Sequence, residues 1–175
     1  MKTLAIYPGT FDPLTLGHVD LVRRAARMFG RLILAISDGT GRKQPLFTLE
    51  ERRVMAQRLA RDFENVEVDT FDGLLVDYAR RRNCRILVRG IRAFSDFEFE
   101  FQMALTNRKM EPDLETIFLM PQERFSTLSS GMVREIARFG GDLRPFVPGF
   151  VRHALERKRS APGGCSASAG KKGKS

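Results

Sequence analysis

"YPGTFDPLTLGHVDLV", residues 7–22, sets two prolines, two glycines, Asp12 and a lone histidine between two apolar segments. Before it, "TLAIYP" (3–8) is an apolar run of strand length. After it, "HVDLVRRAARMF" (18–29) repeats apolar residues at helical spacing. The stretch therefore reads as a strand-to-helix turn, and the same alternation continues down the chain. Strand-length apolar runs recur at "RLILAIS" (31–37), "VEVDTF" (66–71), "RILVRG" (85–90) and "ETIFLMP" (115–121). Helical period occupies "TLEERRVMAQRLARDF", "LLVDYARRRN", "SDFEFEFQMALTNRKM", "SSGMVREIARFGG" and "PGFVRHALERK".

Five strands alternating with helices predict an α/β architecture: a Rossmann-like, doubly wound, five-stranded parallel sheet with helices on both faces. Thr48 with Glu51 predicts a capping box at a helix start, and Gly140-Gly141 a stop after Phe139. One segment carries two periods. In "FSDFEFEFQM" the Phe/Glu alternation suits a strand, whereas Ser95 with Glu98 makes a capping box and Phe97, Phe101 and Leu105 fall at helical spacing; the balance favours a helix.

The chain has 175 residues, enough for one buried core and too few for two ordinary domains. The single expected domain is 1–158. From Arg157 onward there are six basic residues and no acid, so the tail carries six of the nine net positive charges. Residues 159–175, rich in Gly, Ser and Ala, are expected to stay disordered, because they bury too little apolar surface to offset ordering entropy. The basic excess thus sits mostly outside the body, and the Arg-rich helical stretches lack a base-stacking motif, which argues against a nucleic-acid-binding module. Cys84 and Cys165 form neither a disulfide framework nor a metal pair. Pro8 and Asp12 interrupt the opening segment before a secretory apolar region is complete, and charges punctuate every later apolar run. A reducing, cytoplasmic location without a membrane partner is expected.

In parallel α/β sheets ligands bind beyond the carboxyl ends of the strands. Four loops there carry suitable groups. The first holds Gly9, Thr10, Gly17 and His18, the last in the opening turn of a helix, where free N–H groups favour phosphate. "SDGTGRKQPLF" carries Arg42 and Lys43, "RGIR" carries Arg89 and Arg92, and "RFSTLSSG" offers Ser129 and Ser130 at another helix start. Taken alone, His18 could simply cap its helix, the arginines form ion pairs and the serines cap. Converging on one edge, they suit a polyphosphate, which needs its charge neutralised at several points. No P-loop and no dinucleotide glycine fingerprint is present.

"YPGTFDPLTLGHVDLV", "FTLEERRVMAQ", "RGIRAFSDFEFEFQMALTNR" and "FLMPQERFSTLSSGMVREIA" together resemble the bacterial phosphopantetheine adenylyltransferases, of the nucleotidyltransferase superfamily marked by T-x-G-H. The likeness runs from about residue 2 to 158. It implies transfer of the adenylyl group of ATP to 4′-phosphopantetheine, giving dephospho-CoA and pyrophosphate by direct attack, with Mg²⁺ accompanying the nucleotide and no metal held by the protein. It implies catalytic roles for His18, Thr10, Lys43 and Arg92. ATP would be bound by Thr10, Phe11, His18, Gly90, Ile91, Arg92, Glu100 and the run Phe125, Ser126, Thr127, Leu128, Ser129, Ser130 and Gly131. Phosphopantetheine would be bound by Thr10, Lys43, Leu75 and Arg89. A homohexamer and feedback inhibition by coenzyme A are also implied. Two positions depart from the pattern: Gly131 replaces a third serine, and Phe125 stands where relatives carry a larger aromatic or another residue; the Lys43 loop is also one residue longer than usual.

Overall fold

The computed structural model describes residues 3–39, 45–92 and 94–160, with backbone alone at Phe94 and Ser95. The expected alternation is realised as β1 (Leu4–Gly9), α1 (Leu16–Met28), β2 (Arg31–Ser37), α2 (Leu49–Ala60), β3 (Val66–Phe71), α3 (Leu75–Arg81), β4 (Ile86–Gly90), α4 (Phe94–Met110), β5 (Glu115–Leu119), a 3-10 turn (Glu123–Phe125), α5 (Ser130–Arg138) and α6 (Gly149–Ser160). The five strands form one parallel sheet in the order β3-β2-β1-β4-β5. The order reverses beside β1, whose neighbours are β2 on one side and β4 on the other. The loops leaving β1 and β4 therefore diverge to opposite faces and leave a crevice between them.

The central strands are buried on both faces, and their alternating side chains feed two cores. Ala5, Tyr7, Leu32, Leu34, Ile36 and Val88 point to the larger core, completed by α1, α2, α5 and α6. Ile6, Ile33, Ala35 and Leu87 point to the smaller one, against Val76, Tyr78 and Ala79 of α3. The predicted capping box holds: Thr48 Oγ1 accepts from the Glu51 N–H, and Glu51 accepts from the Thr48 N–H at 2.8 Å. Gly140, with φ 73°, ends α5 as expected.

Residues 94–110 are helical, which resolves the ambiguous segment. One detail differs from expectation. The helix begins at Phe94, so Ser95 falls inside it rather than ahead of it. The stripe Phe97, Phe101 and Leu105 is exposed, and the buried residue of this turn is Glu100. A strong charge partner on β4 holds that acid inward, as the site shows. At the far end α6 continues to Ser160, two residues past the boundary expected at 158. Lys43 and Cys165 lie outside the described residues. No helix among the described residues is long and apolar enough to cross a membrane.

Candidate active site

A cavity of about 340 Å³ opens at the carboxyl ends of β1 and β4, where the strand order reverses. It brings together Thr10, Phe11, His18, Arg89, Gly90, Arg92, Leu128, Ser129, Ser130 and Gly131, drawn from three of the four loops singled out above, with Glu100 of α4. The fourth, with Lys43, lies largely outside the described residues.

His18 shows that the capping reading and the functional reading describe two ends of one ring. Thr15 caps α1, its Oγ1 accepting from the His18 N–H at 3.3 Å. The Thr15 N–H in turn donates to His18 Nδ1 at 3.0 Å, and the Thr15 hydroxyl lies 3.1 Å from the same nitrogen. Nδ1 must then carry a lone pair, which assigns the ring proton to Nε2. Burial, and then the charges of Arg92 and Arg89, push the imidazole pKa down to about 4. At neutral pH the ring is an uncharged N–H donor lining the cavity, not a cation. Phe11 packs edge-on against it, with centroids 5.2 Å apart, and edge-on against Tyr7 at 5.4 Å. Phe11 holds a left-handed backbone, φ 50°, and its ring sits over Gly9, where a Cβ would come within 2.8 Å of it. Glycine at 9 is therefore what lets the ring brace the histidine.

Arg89 and Glu100, read as belonging to different substrates, are bonded to each other. Nε and Nη2 of Arg89 donate to the two carboxylate oxygens at 2.7 and 2.5 Å, and Nη1 donates to the Pro8 carbonyl at 2.8 Å. Burial opposes the Arg89 charge, but Glu100 outweighs it and holds the guanidinium protonated above its ordinary range. Burial, opposed by the Arg89 charge and helped by that of Glu100, pushes the nearby Tyr7 hydroxyl well up. Arg92 stands at the rim, donating to Asp96 from Nε (3.0 Å) and to the Leu128 carbonyl from Nη1 (2.9 Å). Thr10 Oγ1 lies 3.4 Å from Ser37 Oγ.

Some anticipated residues stand elsewhere. Leu75 opens α3 and packs against the smaller core. Phe125 and Thr127 line an adjoining cavity with Leu16, Val19 and Phe146, which meets the first at Leu128. The Ile91 N–H extends the β4–β5 ladder to the Leu119 carbonyl, and Ser126 belongs to the turn after Glu123. None of these five lines the first cavity.

The turn rests on residues the motif reading passed over. Arg52 of α2, 1% exposed, donates to the carbonyls of Phe47, Thr10, Ser37 and Asp38, tying together the ends of β1 and β2. Asp12 accepts from the Leu46 and Phe47 N–H groups at 2.8 and 2.9 Å and from Arg134 Nη1 at 3.1 Å. Arg134 lines the cavity. The signals existed: an acid beside a proline at a strand end, and Thr15-x-x-His18 at capping-box spacing.

Residues 6–136 match the cytidylyltransferase-like family. The chain is 55% identical to the phosphopantetheine adenylyltransferase of Methylococcus capsulatus, covering 93% of this chain and all of that protein. It is 52% and 54% identical to the proteins of the same name from Azoarcus sp. and Aromatoleum aromaticum, each match covering 90% of this chain and 96% of the relative. Among solved structures, the fold is shared by a Vibrio parahaemolyticus protein assigned as a nicotinate-nucleotide adenylyltransferase (TM-score 0.67, 17% identity, 92% of this chain and 98% of that one). The nicotinic acid mononucleotide adenylyltransferase of Plasmodium falciparum is similar (TM-score 0.67, 12% identity, 91% and 97%). Matched along nearly its whole length by relatives of one kind, the chain belongs to the phosphopantetheine adenylyltransferase family, within the cytidylyltransferase-like group.

Proposed function

We propose that this chain transfers the adenylyl group of ATP to 4′-phosphopantetheine, forming dephospho-CoA and releasing pyrophosphate. The observation that carries the choice of acceptor is the 55% identity to a relative of that name across its full length. The geometry supports the reaction type. A phosphate oxygen of phosphopantetheine attacks the α-phosphorus, and the bond to the departing pyrophosphate breaks with its electron pair. No protein nucleophile takes part, so the enzyme's contribution is alignment and charge stabilisation. His18 Nε2–H donates to the α-phosphoryl oxygens as their charge grows. Thr10 orients the attacking phosphate, Lys43 and Arg89 hold the acceptor, with Leu75 flanking it, and Arg92 with the start of α5 holds the outer phosphates of ATP.

Mg²⁺ enters with ATP as the Mg·ATP substrate. Its ligands would be the phosphates and water. The exposed phenylalanines of α4 support self-association, proposed as a homohexamer. Cytoplasmic location, feedback inhibition by coenzyme A and the absence of a nucleic-acid role complete the reading.

Incubation with Mg·ATP and either 4′-phosphopantetheine or nicotinamide mononucleotide tests it. Pyrophosphate is expected with the first acceptor only; release with the mononucleotide alone overturns the acceptor assignment.

A further inference from the structure

We infer that Asp20 is a positioning residue of this enzyme: from α1 it sets the wall of the cavity against which the purine of ATP lies. The inference rests on the adenylyl-transfer reading above. Of the buried charged side chains, Asp12, Arg52 and Glu100 have the partners already described, which leaves Asp20, only 3% exposed. A carboxylate is costly to bury unless its oxygens are bonded, so its partners show what the burial serves.

Asp20 Oδ2 accepts from the Gln122 N–H at 3.2 Å. One turn further along α1, Arg24 Nη1 stands 3.8 Å from the same oxygen and donates to the Met120 carbonyl. The two backbone contacts straddle Pro121, and Pro121 lines the cavity. Proline has no N–H of its own, so its ring takes the place that the backbone on either side gives it. Asp20 does not line this cavity and acts on it through that backbone.

The lining divides by chemistry. His18, Arg89, Arg92 and Ser129 offer the charge and donors that phosphates need, whereas Gly17, Leu21, Gly90 and Pro121 supply apolar surface, which suits a flat heterocycle. Leu21 packs so closely on Gly90 that a Cβ there would collide with its Cδ1. Gly90 pairs in register with Leu119, two residues before Pro121. One helix thus holds both sides of the apolar stretch: Leu21 against the end of β4, and Asp20 with Arg24 against the chain leaving β5. The same helix carries His18 in its first turn. The placing of the wall relative to the imidazole is therefore set by α1.

Three ligands test the inference on the full-length protein: Mg·ATP, inorganic tripolyphosphate with Mg²⁺, which has the phosphates without the purine, and 4′-phosphopantetheine. Their affinities are measured by calorimetry for wild type, Asp20→Ala, Asp20→Asn and Arg24→Gln. Asp20→Ala is expected to weaken Mg·ATP about tenfold, the low end for a hydrogen bond to a charged group, with the other two ligands within about twofold of wild type. Asp20→Asn, whose amide oxygen still accepts from the Gln122 N–H, should regain most of the loss. Arg24→Gln, changed at a side chain 38% exposed, should show a smaller loss confined to Mg·ATP, and it decides the matter if Asp20→Ala does not fold. Equal losses for all three ligands, as expected if Asp20 only supports the fold, overturn the inference, as does an unchanged Mg·ATP affinity. Should the ATP-specific loss stand while wild type makes no pyrophosphate from 4′-phosphopantetheine, the acceptor assignment falls and Asp20 keeps its role.

Discussion

At the scale of single residues, the site turns on an imidazole kept neutral. Because the His18 pKa is pushed down to about 4, its protonation does not limit turnover between pH 6 and 8. A kcat profile is expected to show no inflection from His18 in that window. The same shift has a stability consequence of fixed sign. The unfolded ring takes up a proton near its ordinary value of 6.5 and the folded ring does not. Stability present above that value is therefore lost as pH falls toward 4, by about 3 kcal/mol at most. Urea unfolding at pH 7 and pH 4.5 checks this: wild type should lose more stability between them than His18→Ala does. Gly9→Ala tests the brace. A methyl 2.8 Å from the Phe11 ring must displace it, costing about 1–3 kcal/mol and releasing the ring that packs against His18. Turnover should drop in this variant even where thermal melting shows it folded.

At the scale of elements, the connectors hold their shape through buried polar hubs. Arg52→Ala strips four backbone carbonyls of their donor and should destabilise the protein by about 3–5 kcal/mol in urea titration. Arg52→Lys should recover little of it, since one ammonium cannot span four carbonyls in a fork geometry. These hubs also mark where sequence reading stopped. Every strand was legible because the central strands are apolar runs of strand length bounded by turn residues, and Thr48-x-x-Glu51 announced its helix. Thr15-x-x-His18 has the same spacing, but a histidine in the glutamate's place conceals that one ring both caps the helix and lines the cavity. The direction of Arg52 was not legible, because an arginine on a basic amphipathic helix usually faces water. Nor was the pairing of Arg89 with Glu100, which lie on different elements and meet only in the fold. The α4 stripe was legible as a helix but not in its exposure, because periodicity establishes a helix without saying whether its apolar face is covered.

At the scale of the whole molecule, the strand order places β1 beside β4, and that adjacency makes three distant loops into one site. The basic tail stands apart from this. A chain ending at Ser160 is expected to keep turnover and melting temperature while losing retention on DNA at low salt, as nonspecific phosphate contacts would require. Equal retention with and without the tail would place the nonspecific contacts in the body. The most direct test of the central claim is the turnover number of His18→Ala with Mg·ATP and 4′-phosphopantetheine, measured alongside its affinity for ATP. The account predicts a fall of about a hundredfold or more in kcat, with ATP affinity within a few-fold of wild type. Undiminished turnover would contradict it.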